Sequence, residues 1–453
     1  MNYPVWDVPL IGSTWVIGAI AIFHVMISHF AVGGGLYLAF AESKARREHR
    51  ADWLDVIRLH SKFFLILTGV FGAISGVGIW FAIGLASPES TSTLIHNFVF
   101  GWAIEWCFFI VEIATVMVYY YTWDRVDART HMQLGWLYAG SSWCTLVIIN
   151  GILTFMLTPG ARWLAVAGTG QEASKFWFAF FNPTYWPSLV LRTLICFALA
   201  GVWAMVTASR IENLKLKTEV IRWSTRWLVP SFLLVPLALA WYLAAVPENS
   251  RHLMQAGINT IGSGMFTQVT RAALVTTMAS ATILAVVYFL ALRNPADFKL
   301  AHAGAILFLA LAATGATEHA REMIRKPYTV GQFMYSDGVR QPDVAKFNAA
   351  GFTTGSLWSH GSMETGELMF RGQCMNCHTV DGYRSMRRLL HGRDRKTIAN
   401  IVAMLHEAPA TSPYRAFMPP LVGTPAEIDA LINYLDRMEN PPPSKLVVGE
   451  LQH

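Results

Sequence analysis

Eight long apolar stretches, at about 14–40, 61–86, 96–122, 134–157, 187–208, 226–246, 268–292 and 300–320, decide what this chain can fold into. Each approaches the ~20 residues a helix needs to cross a hydrocarbon layer ~30 Å thick. In lipid the backbone must satisfy its own hydrogen bonds, so such stretches read as spanning helices. Composition agrees, with 54% of the 453 residues hydrophobic and 14% charged, against about 25% charged in soluble domains. An ordinary soluble enzyme is excluded. The net charge of +6 lies wholly in residues 1–332, with 23 basic against 17 acidic residues; the remainder carries 12 of each. This surplus follows the membrane, and no nucleic-acid partner is expected.

The loop charges predict an orientation. Lys44, Arg46, Arg47, Arg50, Arg210, Lys215 and Lys217 lie after odd-numbered stretches, whereas the opposite side holds only Arg162, Lys175 and Arg251. The basic side is expected to face the cytoplasm, which puts both termini outside. The first stretch is too long for a signal h-region and shows no small-residue cleavage site, so the N-terminus is expected to be retained. Cys107, Cys144 and Cys196 sit in apolar runs and read as core residues.

Near the C-terminus stands Cys374-Met375-Asn376-Cys377-His378, a C-x-x-C-H. Two thiols at this spacing can form thioethers to haem vinyl groups, and the following His reaches the iron from the same turn. A redox pair or half a zinc site are the alternatives for C-x-x-C alone. No second Cys pair follows, Gly366 and Phe370 precede the motif, and Phe417-Met418-Pro419-Pro420 comes forty residues later, before an amphipathic pattern at Ile428, Leu431, Ile432 and Leu435. This resembles a class I cytochrome c domain from about 361 to 441. The resemblance implies covalent haem c on Cys374 and Cys377, with His378 and Met418 as axial ligands. A core role for Met418, with an open site or His391 or His406 on the iron, is the alternative. Haem of this kind is attached outside the cytoplasmic membrane, where the loop charges independently put the C-terminus.

Ionisable groups inside spanning helices are costly and read as functional candidates. Helix 1 carries His24 and His29, helix 3 carries His96, Glu105 and Glu112, and helix 8 ends with Glu318, His319, Glu322 and Arg325. At 1.5 Å per residue, His24 and Glu105 are expected at similar depth, in an outer layer shared with Glu112 and Glu322. Glu105 and Glu112, seven apart, share one helix face. The bland alternative for any one of them, His29 and His96 above all, is a satisfied core residue. Arg192 and Arg271 either pair with haem propionates or snorkel to the interface. Gly33-Gly34-Gly35 reads as close helix packing or room for a macrocycle.

Helices 1–4 and the end of helix 8 resemble subunit I of the cytochrome bd quinol oxidases. The residues that carry the likeness are His24, Gly33 and Glu42; Glu105, Glu112 and Thr122-Trp123-Asp124-Arg125; Asn150, Met156 and Pro159; and Glu322-Met323-Ile324-Arg325-Lys326-Pro327-Tyr328. The spacing from Glu105 to Glu112 is one residue shorter than the family's. Three departures matter. Arg192 and Ala273 stand where the family ligates its low-spin haem with His and Met. The quinol-binding loop is cut to about residues 247–267. The ninth helix gives way to the cytochrome c-like segment.

The expected architecture is an all-α polytopic membrane bundle of about eight transmembrane helices with a C-terminal class I cytochrome c domain. Residues 1–325 would form the haem-binding bundle, 326–360 a linker and 361–453 the periplasmic domain. The resemblance implies haem c plus one or two non-covalent b- or d-type haems. His24 and Glu322 are expected as iron ligands, Glu105 and Glu112 as proton carriers, and Arg192, Arg271 and Arg325 as cofactor-binding residues. Three functions follow. One is a terminal reductase of oxygen or nitric oxide fed by a periplasmic c-type cytochrome or other donor. The second is a quinol:cytochrome c oxidoreductase passing electrons outward. The third is a haem c-bearing anchor of a larger respiratory complex. The expected setting is the bacterial inner membrane, beside lipid and a second, subunit II-type partner; quinone is a partner in the second reading.

Overall fold

The computed structural model describes residues 6–248, 250–251, 268–325, 329–355, 363–409 and 418–441, with only the backbone for 268, 269 and 322–325. Among the described residues the chain is helical, without strands, and has one isolated bridge between Met334 and Arg340. Two compact units emerge. One comprises residues 17–83 and 91–332; the other comprises the described parts of 1–16, 84–90 and 333–453.

Among the described residues, eight helices have the length and composition to cross a membrane. They are α1 (Ser13–Arg47), α2 (Ala51–Ala86, π-helical over Leu67–Gly72), α3 (Pro88–Tyr121), α4 (Ala128–Phe155), α5 (Tyr185–Ala208), α6 (Leu214–Ala245), α7 (Gln268–Val286, continuing as a π-turn to Leu292) and α8 (Leu300–Arg325). Asp127 and Asn213 cap α4 and α6 by accepting from the exposed backbone N–H groups of the first turn. The bundle turns large apolar side chains outward, Phe81, Phe100, Leu237 and Phe308 among them, as a lipid-facing surface requires.

Water does not drive helices together in lipid, so close packing must. A Cβ on Gly33 would stand 2.0 Å from the Cys196 carbonyl oxygen of α5, and one on Gly34 2.0 Å from Phe64 of α2. These glycines are contact points between helices, the first of the two readings above. Cys196 is buried and Cys144 half-buried, but Cys107 faces outward. The core expectation fails for Cys107 because α3 turns that face away from the bundle.

In the second unit, short helices α9 (Val344–Ala350), α10 (Thr365–Gln373), α11 (Met386–Leu390), α12 (Arg395–Glu407) and α13 (Pro425–Glu439) enclose a core that includes Phe370, Ile398, Leu431 and Leu435. Val339, Phe347 and Phe352 belong to the same core. Residues 333–355, expected within a linker, are therefore structural: their apolar side chains have a core to enter. Segments 6–16 and 84–90 join them, with Tyr383 N donating to Leu10 O and Trp6 N to Leu85 O.

Candidate functional site

Helix α10 delivers the C-x-x-C-H turn. Cys374 N donates to Phe370 O at 2.8 Å, then Cys377 N and His378 N both donate to Cys374 O, at 3.1 and 2.9 Å. One helical turn thus carries both thiols and the imidazole. The thiols are free and half-buried. Burial pushes the Cys374 thiol up to about 12, with the nearby Asp337 and Cys377 adding to the shift. His378 donates its Nδ1 proton to Arg384 O at 2.9 Å, so Nε2 is the basic nitrogen.

The preceding Gly366 is explained by a helix crossing. Its Cβ would stand 2.3 Å from Ala430 O and 2.8 Å from Tyr434 Cβ on α13, while Phe370 and Tyr434 pack at 5.6 Å. Met418 is half-buried, shortly before Val422, whose N–H and C=O both bond the side chain of Gln373. His406 donates to Leu421 O at 2.9 Å, and the exposed His391 pairs with Glu439.

Inside the bundle, His24 meets Ser75 Oγ at 2.9 Å. Ser75 gives its own proton to Phe71 O, so His24 donates through Nδ1 and its Nε2 is basic. The ring lies against Gly76, where a Cβ would come within 3.3 Å of Cε1. Glu112 is buried and accepts from Ser142 Oγ on α4 at 2.9 Å. Glu105, on the same face of α3, is half-buried and within electrostatic reach of Glu112. His29 is buried and donates to Val25 O of its own helix, the core role allowed for it above, and His96 is exposed.

Arg192 is buried and Arg271 exposed. The side chains of Glu322 and Arg325 lie outside the described residues. Among the described residues no three His, Cys, Asp or Glu side chains gather as metal ligands. His24 pairs with Ser75, and Glu112 with Ser142.

Two buried histidines carry no weight in the sequence reading. His131 faces Glu42 at 2.7 Å and donates through Nε2 to Tyr119 O; each partner is 1% exposed, and Arg46 also binds Glu42. His60 lies between α2 and α5, donating to Thr207 Oγ1 at 2.7 Å. Both stand just outside the apolar stretches, where a polar residue reads as interfacial; pairing Glu42 with His131 by depth was the available signal. Asn150 has a structural task, since it donates to Tyr185 O and accepts from Ser188, tying α4 to α5.

The model of the family "Cytochrome bd terminal oxidase subunit I" matches residues 13–252, a span that holds His24, Glu105, Glu112 and Arg192 and ends before the C-x-x-C-H motif. The bd oxidase from Geobacillus thermodenitrificans shares the fold, with a TM-score of 0.61 and 15% identity over 70% of this chain and 87% of that one. No curated protein matches the sequence significantly. With the family's model covering more than half of its length and a bundle of the same fold, this chain belongs to the cytochrome bd terminal oxidase subunit I family.

Proposed function

We propose that the protein is a bd-like terminal reductase of oxygen or nitric oxide that receives electrons through a fused class I cytochrome c domain. The observation that carries this reading is the Cys374–His378 turn: two thiols on one helical turn and an imidazole whose Nδ1 proton is committed to Arg384 O. That donor set suits covalent haem, and the Gly366 crossing of α10 and α13 is the packing such a domain calls for. Haem supplies one-electron transfer and, where a coordination position is open, gas binding.

The chain's own residues do the rest. Cys374 and Cys377 tether haem c, and His378 and Met418 hold its iron. The exposure of His391 and its pairing with Glu439 favour Met418 over that histidine. In the bundle, one or two b- or d-type haems would be held by His24 and Glu322. Ser75 suits His24 to that task by fixing its ring with Nε2 basic. Glu112, oriented by Ser142, and Glu105 on the same face would pass protons. Arg192, being buried, suits a propionate; Arg271, being exposed, does so only at the bundle surface, with Arg325 a third candidate. A subunit II-type partner and a periplasmic c-type donor complete the assembly, in a bacterial inner membrane with both termini outside.

Arg192 and Ala273, in place of the family's low-spin haem ligands, and the short 247–267 segment favour a cytochrome donor over quinol. The test combines pyridine-haemochrome and carbon monoxide difference spectra with oxygen or nitric oxide uptake from reduced cytochrome c. Haem c with b or d, a CO shift and uptake are expected. Haem c alone, without a CO shift, would leave a one-haem conduit or anchor and overturn the reductase reading.

A further inference from the structure

Asp337 is a buried carboxylic acid that the proposed electron path does not use. It sits in the turn closed by Tyr335 N to Val339 O and Gly338 N to Tyr335 O, with Gly338 at φ 91°. Its Oδ1 accepts from Val339 N at 3.0 Å, and its main-chain oxygen accepts from Asn376 Nδ2 at 2.8 Å. The turn is thereby fastened to the middle of the C-x-x-C-H motif. Among the described residues Oδ2 is buried without a hydrogen-bond partner, and Asp337 is 8% exposed. The side chain lines a pocket with Asp7, Ser13, Glu89, Arg371 and Asn376.

Among the described residues the nearby cations are engaged with other carboxylates. Arg371 is 2.8 Å from Glu367 and 3.6 Å from Asp7. Arg340 is paired with Asp343 at 2.6 Å, and Glu89 feels both of them. Burial pushes Asp337 up to about 7. Asp337 is also near enough to act electrostatically on Cys374, one of the two sulfurs that would carry haem.

We propose that Asp337 is an electron-coupled proton site, protonated when the haem on Cys374 and Cys377 is reduced and deprotonated when it is oxidised. The inference rests on the haem c reading. One electron from a c-type donor converts ferric to ferrous iron, and one proton from pocket water converts the Asp337 carboxylate to the acid. Oxidation returns both. A buried carboxylate stabilises the extra positive charge of ferric haem, and by linkage the reduced haem favours the acid.

The experiment is a spectroelectrochemical titration of the haem c α-band across neutral pH, in the whole membrane protein. Wild type should show a midpoint potential that falls as pH rises, approaching the ~59 mV per unit that corresponds to a tenfold change per proton and electron. Asp337→Asn should be flat and lie at the acidic plateau, while Glu89→Gln should keep the slope. A flat wild type, an unchanged slope in Asp337→Asn, or loss of the slope in Glu89→Gln alone would overturn the proposal. Proton uptake on reduction of wild type, followed with an indicator dye, decides the matter even if Asp337→Asn fails to fold. No α-band at all would instead sink the haem c reading on which the inference stands.

Discussion

The two units bury charge in opposite ways. In the spanning helices of the membrane unit, buried carboxylates are matched by side chains from other turns and helices, as Glu42 is by His131 and Arg46, and Glu112 by Ser142. In the C-terminal unit Glu427 is bound mainly by backbone: it accepts from the main-chain N–H groups of Phe352, Thr353 and Thr424, as well as from the Thr353 hydroxyl. The contrast follows from the helices. Long helices satisfy their backbone internally, so their buried side chains must find other side chains. Short helices and loops leave many N–H groups over, and a carboxylate collects them. Glycine contacts serve both units, Gly33 and Gly34 in the bundle and Gly366 where α10 crosses α13, while α10, α12 and α13 also bring apolar faces together away from water.

The largest predicted effect tests the side-chain matching. His131→Leu removes one of the two partners of the buried Glu42 and leaves Arg46 as the other, and the expected loss is about 1.5–3 kcal/mol, read as a lowered melting point in detergent. A cost below about 1 kcal/mol would show that Glu42 is not isolated from water.

Glycine packing gives the next contrast. Gly33→Ala forces Cβ into the Cys196 carbonyl, with an expected cost of about 1–3 kcal/mol. Gly140→Ala meets nothing within 4 Å and should be neutral or slightly stabilising, by up to about 1 kcal/mol. Equal effects at the two positions would break the close-packing argument.

Glu427→Gln weakens several charge-assisted bonds at once, and we expect a loss of roughly 2 kcal/mol. Burial pushes this carboxyl up, but the bonds from Thr353, Thr424 and Phe352 outweigh it and hold it below its ordinary 4.5. The stabilisation is therefore complete above about pH 4.5 and fades as pH falls through the lowered value. Thermal unfolding of the C-terminal unit between pH 3 and 6 should show this slope in wild type and not in Glu427→Gln. Asp337, shifted the other way, should erode stability as pH rises toward 7. The smallest effect is at the exposed Arg271, where Arg271→Gln should leave the melting point within about 0.5 kcal/mol of wild type.

Much of this could be read in advance. All eight spanning helices appear where the apolar stretches stand, since a 20-residue apolar run has few alternatives in lipid. The local geometry of the C-x-x-C-H segment was equally legible, because its two thiols and imidazole fall within one helical turn. The linker was not: Val339, Phe347 and Phe352 are scattered apolar residues with no periodic signal until a core receives them. His60 and His131 were missed because depth in a bundle depends on where neighbouring helices end.

Local chemistry, then, is written in the sequence: which segments span, where a thiol pair and its histidine fall, which carboxylates share a helix face. Only the tertiary structure decided who meets whom. His131 finds Glu42 across 89 residues and Gly366 meets Ala430 across a helix crossing. Asp337 comes to lie against the C-x-x-C-H loop. Periodicity records the face a side chain occupies, whereas partnership is set by helix crossings and loop paths that no single segment encodes.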